Sequence, residues 1–518
     1  MKADRSRKRR LFLIANKFVS VITLFFFSAG YVFALPAGQQ VVNGQASFAT
    51  QGNNLTITNS PNSIINWQGF SINSNEAVRF IQQYGSSAVL NRVIGQDPSR
   101  ILGLLQSNGR VFLINPSGIL FGQGARIDVN GLFASTLNIS NQDFLAGKYN
   151  FTAGAFAGSI QNQGTITTPE GGKVYLIAPD IENSGIINSP KGDVILAAGH
   201  SVQLVDSLNP DISIVVSAPE NKAVNLGQIV AQSGKVGIYG GLISQKGIVN
   251  ADSAVSEGGR IFLKATKSIE LADTSVISAD GTKGGQIIVK TEENGQISGT
   301  LTGRGLLSAQ GDGSKNSGGF IETSAAKVDL NGIRVRTNGG NWLIDPYYDF
   351  TIAPTGGDIA GADVSSALSS GSVTYSSPVG YGGNGDIFVN DTVSWSSNSK
   401  LTLTAMRDIQ INQNITATGD SAGLELNYGA ERGYYLNGAK ITLSGATPSL
   451  SIGGNAYTVI NNVTALQVMS SGLSGKYALG SDINAIATSG WNTGAGFAPV
   501  GTYAYPSPPV PFTGTFDG

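Results

Sequence analysis

From about residue 159 to residue 324 one pattern of apolar and polar positions keeps returning: a glycine, a variable residue, then β-branched or aliphatic side chains in alternation. It reads Gly172-Lys173-Val174-Tyr175-Leu176, Gly192-Asp193-Val194-Ile195-Leu196, Gly234-Lys235-Val236-Gly237-Ile238, Gly259-Arg260-Ile261-Phe262-Leu263, Gly285-Gln286-Ile287-Ile288-Val289 and Gly319-Phe320-Ile321-Glu322-Thr323, at intervals of 20, 42, 25, 26 and 34 residues. A second phrase keeps step: Asn162-Gln163-Gly164, Asn183-Ser184-Gly185, Asn225-Leu226-Gly227 and Gln245-Lys246-Gly247, with glycines 21, 42 and 20 apart. Alternation puts Val174 and Leu176, or Ile261 and Leu263, on one face of a strand and Tyr175 or Phe262 on the other. Two linked registers of short strands predict stacked coils, because one coil alone cannot bury its apolar face and a stack can. The fold class is therefore all-β, a right-handed parallel β-helix. A β-sandwich or propeller competes, but neither generates this period. Corner glycines and asparagines suit the positive φ that tight corners need. A stack of coils exposes strand edges at its ends, so an N-terminal capping domain is expected.

Composition sharpens this picture. Glycine supplies 69 of 518 residues and charged residues only 13%, which favours strands and turns over long helices. Cysteine is absent, which removes disulfides, thiolate nucleophiles and Cys-based metal sites together. The first ten residues carry six basic side chains, and the largely apolar residues 11–34 follow, interrupted by Asn16 and Lys17. This reads as a signal peptide cleaved after Ala34, with Ala29 as the alternative site; an uncleaved membrane anchor is the competing reading. Removing residues 1–34 takes seven basic and one acidic residue from totals of 33 and 34, leaving 26 against 33. A net charge of −7 disfavours nucleic acid as a partner. The one histidine, His200, lies in an apolar-polar alternation and reads as a turn or strand-surface residue.

Residues 35–155 carry ordered motifs: Val41-Val42-Asn43-Gly44-Gln45-Ala46-Ser47, Ile65-Asn66-Trp67-Gln68-Gly69-Phe70, Ala88-Val89-Leu90-Asn91-Arg92-Val93, and Gly109-Arg110-Val111-Phe112-Leu113-Ile114-Asn115-Pro116-Ser117-Gly118-Ile119. Together they resemble the haemagglutination-activity or secretion domain of the two-partner secretion exoproteins, the family of filamentous haemagglutinin. Asn115, Pro116, Ser117, Gly118 and Ile119 are similar to that family's Asn-Pro-Asn-Gly-Ile motif, with Ser117 in place of its third residue. The family's earlier Asn-Pro-Asn-Leu motif is lacking; Asn66 and Trp67, with Asn91 and Arg92 as further secretion-domain positions, resemble the haem-utilisation and high-molecular-weight adhesin branch. The resemblance implies export to the periplasm and then through a partner outer-membrane transporter of the Omp85-like type, ending secreted or on the surface of a Gram-negative bacterium. It also implies a host-cell, glycan or protein receptor, no cofactor, and, as an alternative to adhesion, binding of haem-carrier proteins for iron acquisition. Independently of the family, Asn at i, Pro at i+1 and Gly at i+3 suit a type I turn between two apolar strands. That turn is also a plain corner of the cap.

A polysaccharide-active enzyme is the competing class, since β-helices host such chemistry, and it needs clustered carboxylates beside a basic residue. Asp180-Ile181-Glu182, Asp349 and Glu292-Glu293 are scattered, and Gly311-Asp312-Gly313 is only a fragment of a Ca²⁺-binding repeat. No catalytic residue and no metal site is assigned. The tripeptides Asn138-Ile139-Ser140 and Asn150-Phe151-Thr152 permit glycosylation. After Gly340 the text turns Gly/Ser-rich, and the last phrases resemble the opening of a Gly-rich surface-protein repeat, as though the chain were a piece of a longer one. The expected organisation is a signal peptide (1–34), a two-partner secretion domain (35–155), β-helix repeats (156–340), a junction region (341–450) and the repeat opening (451–518).

Overall fold

The computed structural model describes residues 35–204, 220–377, 383–501 and 508–518, together with the backbone of 214–217. The segment expected to be a signal peptide, with the expected cleavage residue Ala34, lies outside the described residues. No helix among the described residues is long and apolar enough to cross a membrane.

The recurring Gly-x-aliphatic phrase forms one wall of a parallel β-helix. Leu132, Val174, Val194, Val236, Ile261, Ile287 and Ile321 are successive register partners, and the line continues through Trp342, Val373, Leu401, Leu424 and Leu450. All belong to one buried core. Burying each such side chain contributes roughly 1.5–3 kcal/mol, and each does so only when its neighbours above and below are in place. The second phrase forms a second wall, on which Ile127, Ile166, Ile187, Ile229, Val249, Ile277, Leu307 and Val335 stack. A third wall, with no separate register legible in the repeats, stacks Ile119, Ile160, Ile181, Ala223, Ile243, Ile269, Leu301 and Val328. The coil is thus three-sided, with the aliphatic ladders meeting inside.

The corner glycines correct one expectation. None of Gly164, Gly185, Gly227 and Gly247 has positive φ. Glycine is needed because the coils approach too closely for a side chain: a Cβ on Gly185 would sit 2.2 Å from the Gly164 carbonyl oxygen, on Gly227 2.1 Å from that of Gly185, and on Gly247 2.0 Å from that of Gly227. The preceding asparagines have a different task. Asn162 Nδ2 donates to Asn183 Oδ1 at 2.7 Å, Asn183 Nδ2 to Asn225 Oδ1 at 2.8 Å, and Asn225 Nδ2 to Gln245 Oε1 at 3.0 Å. This amide ladder satisfies polar groups that the corner buries.

The N-terminal end is capped by reversal. The strands Gln40–Asn43 and Ala46–Gln51 run antiparallel to Ser63–Trp67 and Asn54–Asn59, which start the parallel stacks. Outward residues of the first wall, among them Phe112, Phe133, Tyr175 and Ile195, form a second core. In its upstream part they lie beneath an outer antiparallel sheet, Asn138–Ile139, Tyr149–Thr152, Ser201–Leu204 and Ile214–Ser217, with the short helix Asn141–Leu145. That sheet bridges residue 155.

The change of composition after Gly340 has a structural counterpart. The first wall runs through it, Phe320–Ala325 pairing with Asn341–Pro346 and that strand with Ser372–Ser377. The other two walls restart as separate sheets at Phe350–Ile352 and Val393–Trp395. The helix Gly361–Ser370 stands between the old and new second walls, its Val364, Ala367 and Leu368 buried in the common core. Residues 449–460 then form an antiparallel hairpin, followed by parallel strands Lys476–Leu479 and Thr515–Asp517.

Candidate functional site in the N-terminal coils

Asn115 follows the strand that runs through Phe112 and Ile114, at the corner between the first and third walls. The turn is the one its residue types predict: Gly118 N–H donates to the Asn115 carbonyl at 3.1 Å, and Ser117 N–H to Asn115 Oδ1 at 2.9 Å. The Asn115 amide also donates to the Asp97 carbonyl and to Ser99 Oγ, each at 3.0 Å, so the fully buried side chain has all its groups engaged. Pro116 and Ser117 are half-buried, and Gly118 and Ile119 are buried. Gly118 adopts φ +121, a conformation glycine tolerates best. The next coil fastens the outside of the turn: Gly158 N–H donates to the Pro116 carbonyl at 2.7 Å, and Thr136 Oγ1 to the Gly158 carbonyl at 2.8 Å.

The other secretion-domain positions divide into two groups. Trp67 and Asn91 point inward and meet: Trp67 Nε1 donates to Asn91 Oδ1 at 3.0 Å, and Asn91 Nδ2 to the Phe112 carbonyl at 3.2 Å. Phe48 and Phe70 pack edge-on to the Trp67 ring. Asn66 and Arg92 are register partners on the outward side. Arg92 fastens the outer layer to the coil, donating from Nε to Asn138 Oδ1 at 3.1 Å, from Nη1 to Asn141 Oδ1 at 2.8 Å and from Nη2 to the Ile139 carbonyl at 2.7 Å. Burial lowers its pKa from the ordinary arginine value. The Asn66 Oδ1 atom is buried without a hydrogen-bond partner among the described residues. Asp97, Ser99, Thr136, Asn138 and Asn141 complete these networks; single short polar residues in turns and strands gave no motif by which to find them.

The scattered acidic groups serve as backbone caps and ion pairs. Asp180 Oδ1 accepts from Lys222 N–H at 3.0 Å, Asp349 Oδ1 from Asn384 and Asp386 N–H at 2.8 and 3.0 Å, and Glu292 lies between Lys264 and Lys290 at 3.7 and 3.2 Å. Exposed His200 has its Nε2 3.4 Å from Asn221 Nδ2. Among the described residues no group of three or more His, Cys, Asp or Glu side chains is arranged to hold a metal ion.

The family model described as the TPS secretion domain matches residues 33–289, a span that passes residue 155 and includes the whole outer sheet. Two curated Heme/hemopexin-binding proteins of Haemophilus influenzae are similar to the chain, one 44% identical over 106 residues and the other 40% identical over 88. These matches cover 20% and 17% of this chain and 12% and 10% of the relatives' own lengths. The crystal structure of the HMW1 secretion domain from Haemophilus influenzae aligns with TM-score 0.54 at 30% identity, covering 80% of this chain and all of that one.

Proposed function

Because this chain belongs to the two-partner secretion exoprotein family, we propose that a dedicated outer-membrane pore recognises its N-terminal coils before they fold, through Asn115, Pro116, Ser117, Gly118 and Ile119. The single observation that carries this is the state of Asn115. In the folded coil its donors and acceptor are all taken up inside the protein, so it offers a partner nothing. In the unfolded chain the same Asn-Pro-Ser-Gly segment is a free turn former between two apolar stretches. Folding outside the membrane then withdraws the signal and, by burying the aliphatic ladders coil by coil, opposes backsliding. The test is binding of the pore's isolated periplasmic region to a peptide of residues 104–122 and to the folded chain. Binding to the peptide, reduced by Asn115→Ala with Pro116→Ala, and no binding to the folded chain is the expected pattern. Equal binding to the folded chain contradicts it.

The exported coils then act by binding, either as an adhesin or haemagglutinin-like protein or as a binder of a haem-carrier protein. The resemblance to Heme/hemopexin-binding proteins supports the second reading on a par with the first. Capture of hemopexin from serum by the immobilised exported chain separates the two: specific capture favours the carrier reading, and cell binding without capture favours adhesion.

A further inference from the structure

The antiparallel cap covers the first coil but has an edge of its own. The strand Ala46–Gln51 pairs in unbroken register with Asn54–Asn59, from Ala46 opposite Asn59 to Gln51 opposite Asn54, and has no second ladder partner among the described residues. Ser47, Ala49, Thr50 and Gln51 are exposed, and Ala46 and Phe48 are half-buried. Such an edge presents a row of backbone donors and acceptors to any other strand. Proteins usually blunt it with a charge, a proline, a bulge or extreme shortness. The neighbouring cap strand Gln40–Asn43 has two of these devices, being four residues long with a register shift between Val41 and Asn43. Ala46–Gln51 has none: it is six residues long and regular, it contains no proline, and no Asp, Glu, Lys or Arg occurs anywhere in residues 35–75. The next coil does carry charge, at Glu76, Arg79 and Arg92.

We propose that this edge is an interface at which a second copy of the same chain pairs, strand Ala46–Gln51 against its own equivalent about a twofold axis. A twofold axis normal to the sheet makes two identical edge strands antiparallel, and an antiparallel ladder needs no complementarity beyond that of the backbone to itself. The absence of charge suits a self-pairing edge, since a charged residue at or next to the axis would lie opposite or diagonal to its own copy. Phe48, seated edge-on to Trp67 with ring centroids 5.8 Å apart, remains half-exposed, and Val41 and Val42 of the other cap strand are 37% and 44% exposed. A second cap covers this apolar rim, and a strand of another protein lacks the symmetry that doubles every contact.

Sedimentation velocity on the chain purified from the medium, from about 1 to about 100 μM, tests this. A concentration-dependent dimer is expected. Ala49→Lys and Ala49→Glu, each at an exposed edge position, are expected to raise its dissociation constant at least about tenfold, and an equimolar mixture of the two variants to restore dimers. Val255→Lys, at a residue 84% exposed in a distant loop, is expected to change nothing. A wild-type chain that sediments as a single copy throughout overturns the proposal. So does a dimer indifferent to Ala49→Lys, or a mixture that stays dissociated although both variants keep the wild-type circular dichroism.

Discussion

Asn115 illustrates how one side chain holds three segments together: its own turn, the Asp97 carbonyl and Ser99. Truncating it leaves buried donors and acceptors unpaired, so Asn115→Ala is expected to cost about 1–3 kcal/mol in denaturant unfolding. Ser117→Ala, at a half-buried position, is expected to stay within about 0.5 kcal/mol. A similar contrast holds for glycine. Alanine at Gly227 meets the Gly185 carbonyl oxygen at 2.1 Å, whereas alanine at Gly490 meets nothing within 4 Å. Gly227→Ala is therefore expected to destabilise by at least about 2 kcal/mol and Gly490→Ala to be near neutral. The corner residues were visible in the sequence, but their reasons were not. Spacing located Gly164, Gly185, Gly227 and Gly247 without saying that backbone crowding, not backbone handedness, demanded them.

Between elements, Arg92 ties the outer sheet to the first wall. Arg92→Ala is expected to raise amide exchange in Tyr149–Thr152 and Ser201–Leu204 while the ladder through Val111 and Leu132 stays protected; equal loosening of both would show that the outer sheet is not a separately held layer. Further along, burial pushes the Asp358 carboxyl, which accepts Thr351 N–H at 2.7 Å, up to about 6. Its folded-state pKa lies above the unfolded one, so the folded chain binds more protons between about pH 4 and 6, and stability falls as pH rises through that window. Asp345 acts in the same direction, pushed up to about 6 by burial and by Glu322. Asp358→Asn is expected to flatten this slope and to add about 1 kcal/mol at pH 7. Thermal unfolding of both forms at pH 4.5 and pH 7 checks it, and an unchanged slope contradicts the assignment. Elements were unequally legible in the sequence. Two walls repeat a glycine phrase and could be read. The third consists of pieces such as Ile160–Asn162 and Ile181–Asn183, each with one aliphatic inward residue followed by polar ones, too short to show alternation. The central pairing of the outer sheet, Tyr149–Thr152 with Ser201–Leu204, joins segments some fifty residues apart in antiparallel fashion, which leaves no periodic trace; its one signal was the run of outward aromatics Phe112, Phe133 and Tyr175.

At the scale of the whole molecule, the coils from Ser63 to Ile452 share one aliphatic interior, each supported mainly by its neighbours. Such a stack suits a chain that emerges and folds from its N-terminus, because every new coil finds its template already formed. The turn proposed as the secretion signal lies at a corner of that same interior, so on that proposal folding and loss of the signal are one event. The most direct test is export itself: the chain and its Asn115→Ala, Pro116→Ala variant, each expressed in cells with and without the candidate outer-membrane partner, followed by its appearance in the medium. Export of the wild type only when the partner is present, and loss of that export in the variant, is the predicted result. Equal export with and without the partner, or retention of the wild type in the envelope when the partner is present, would contradict the account.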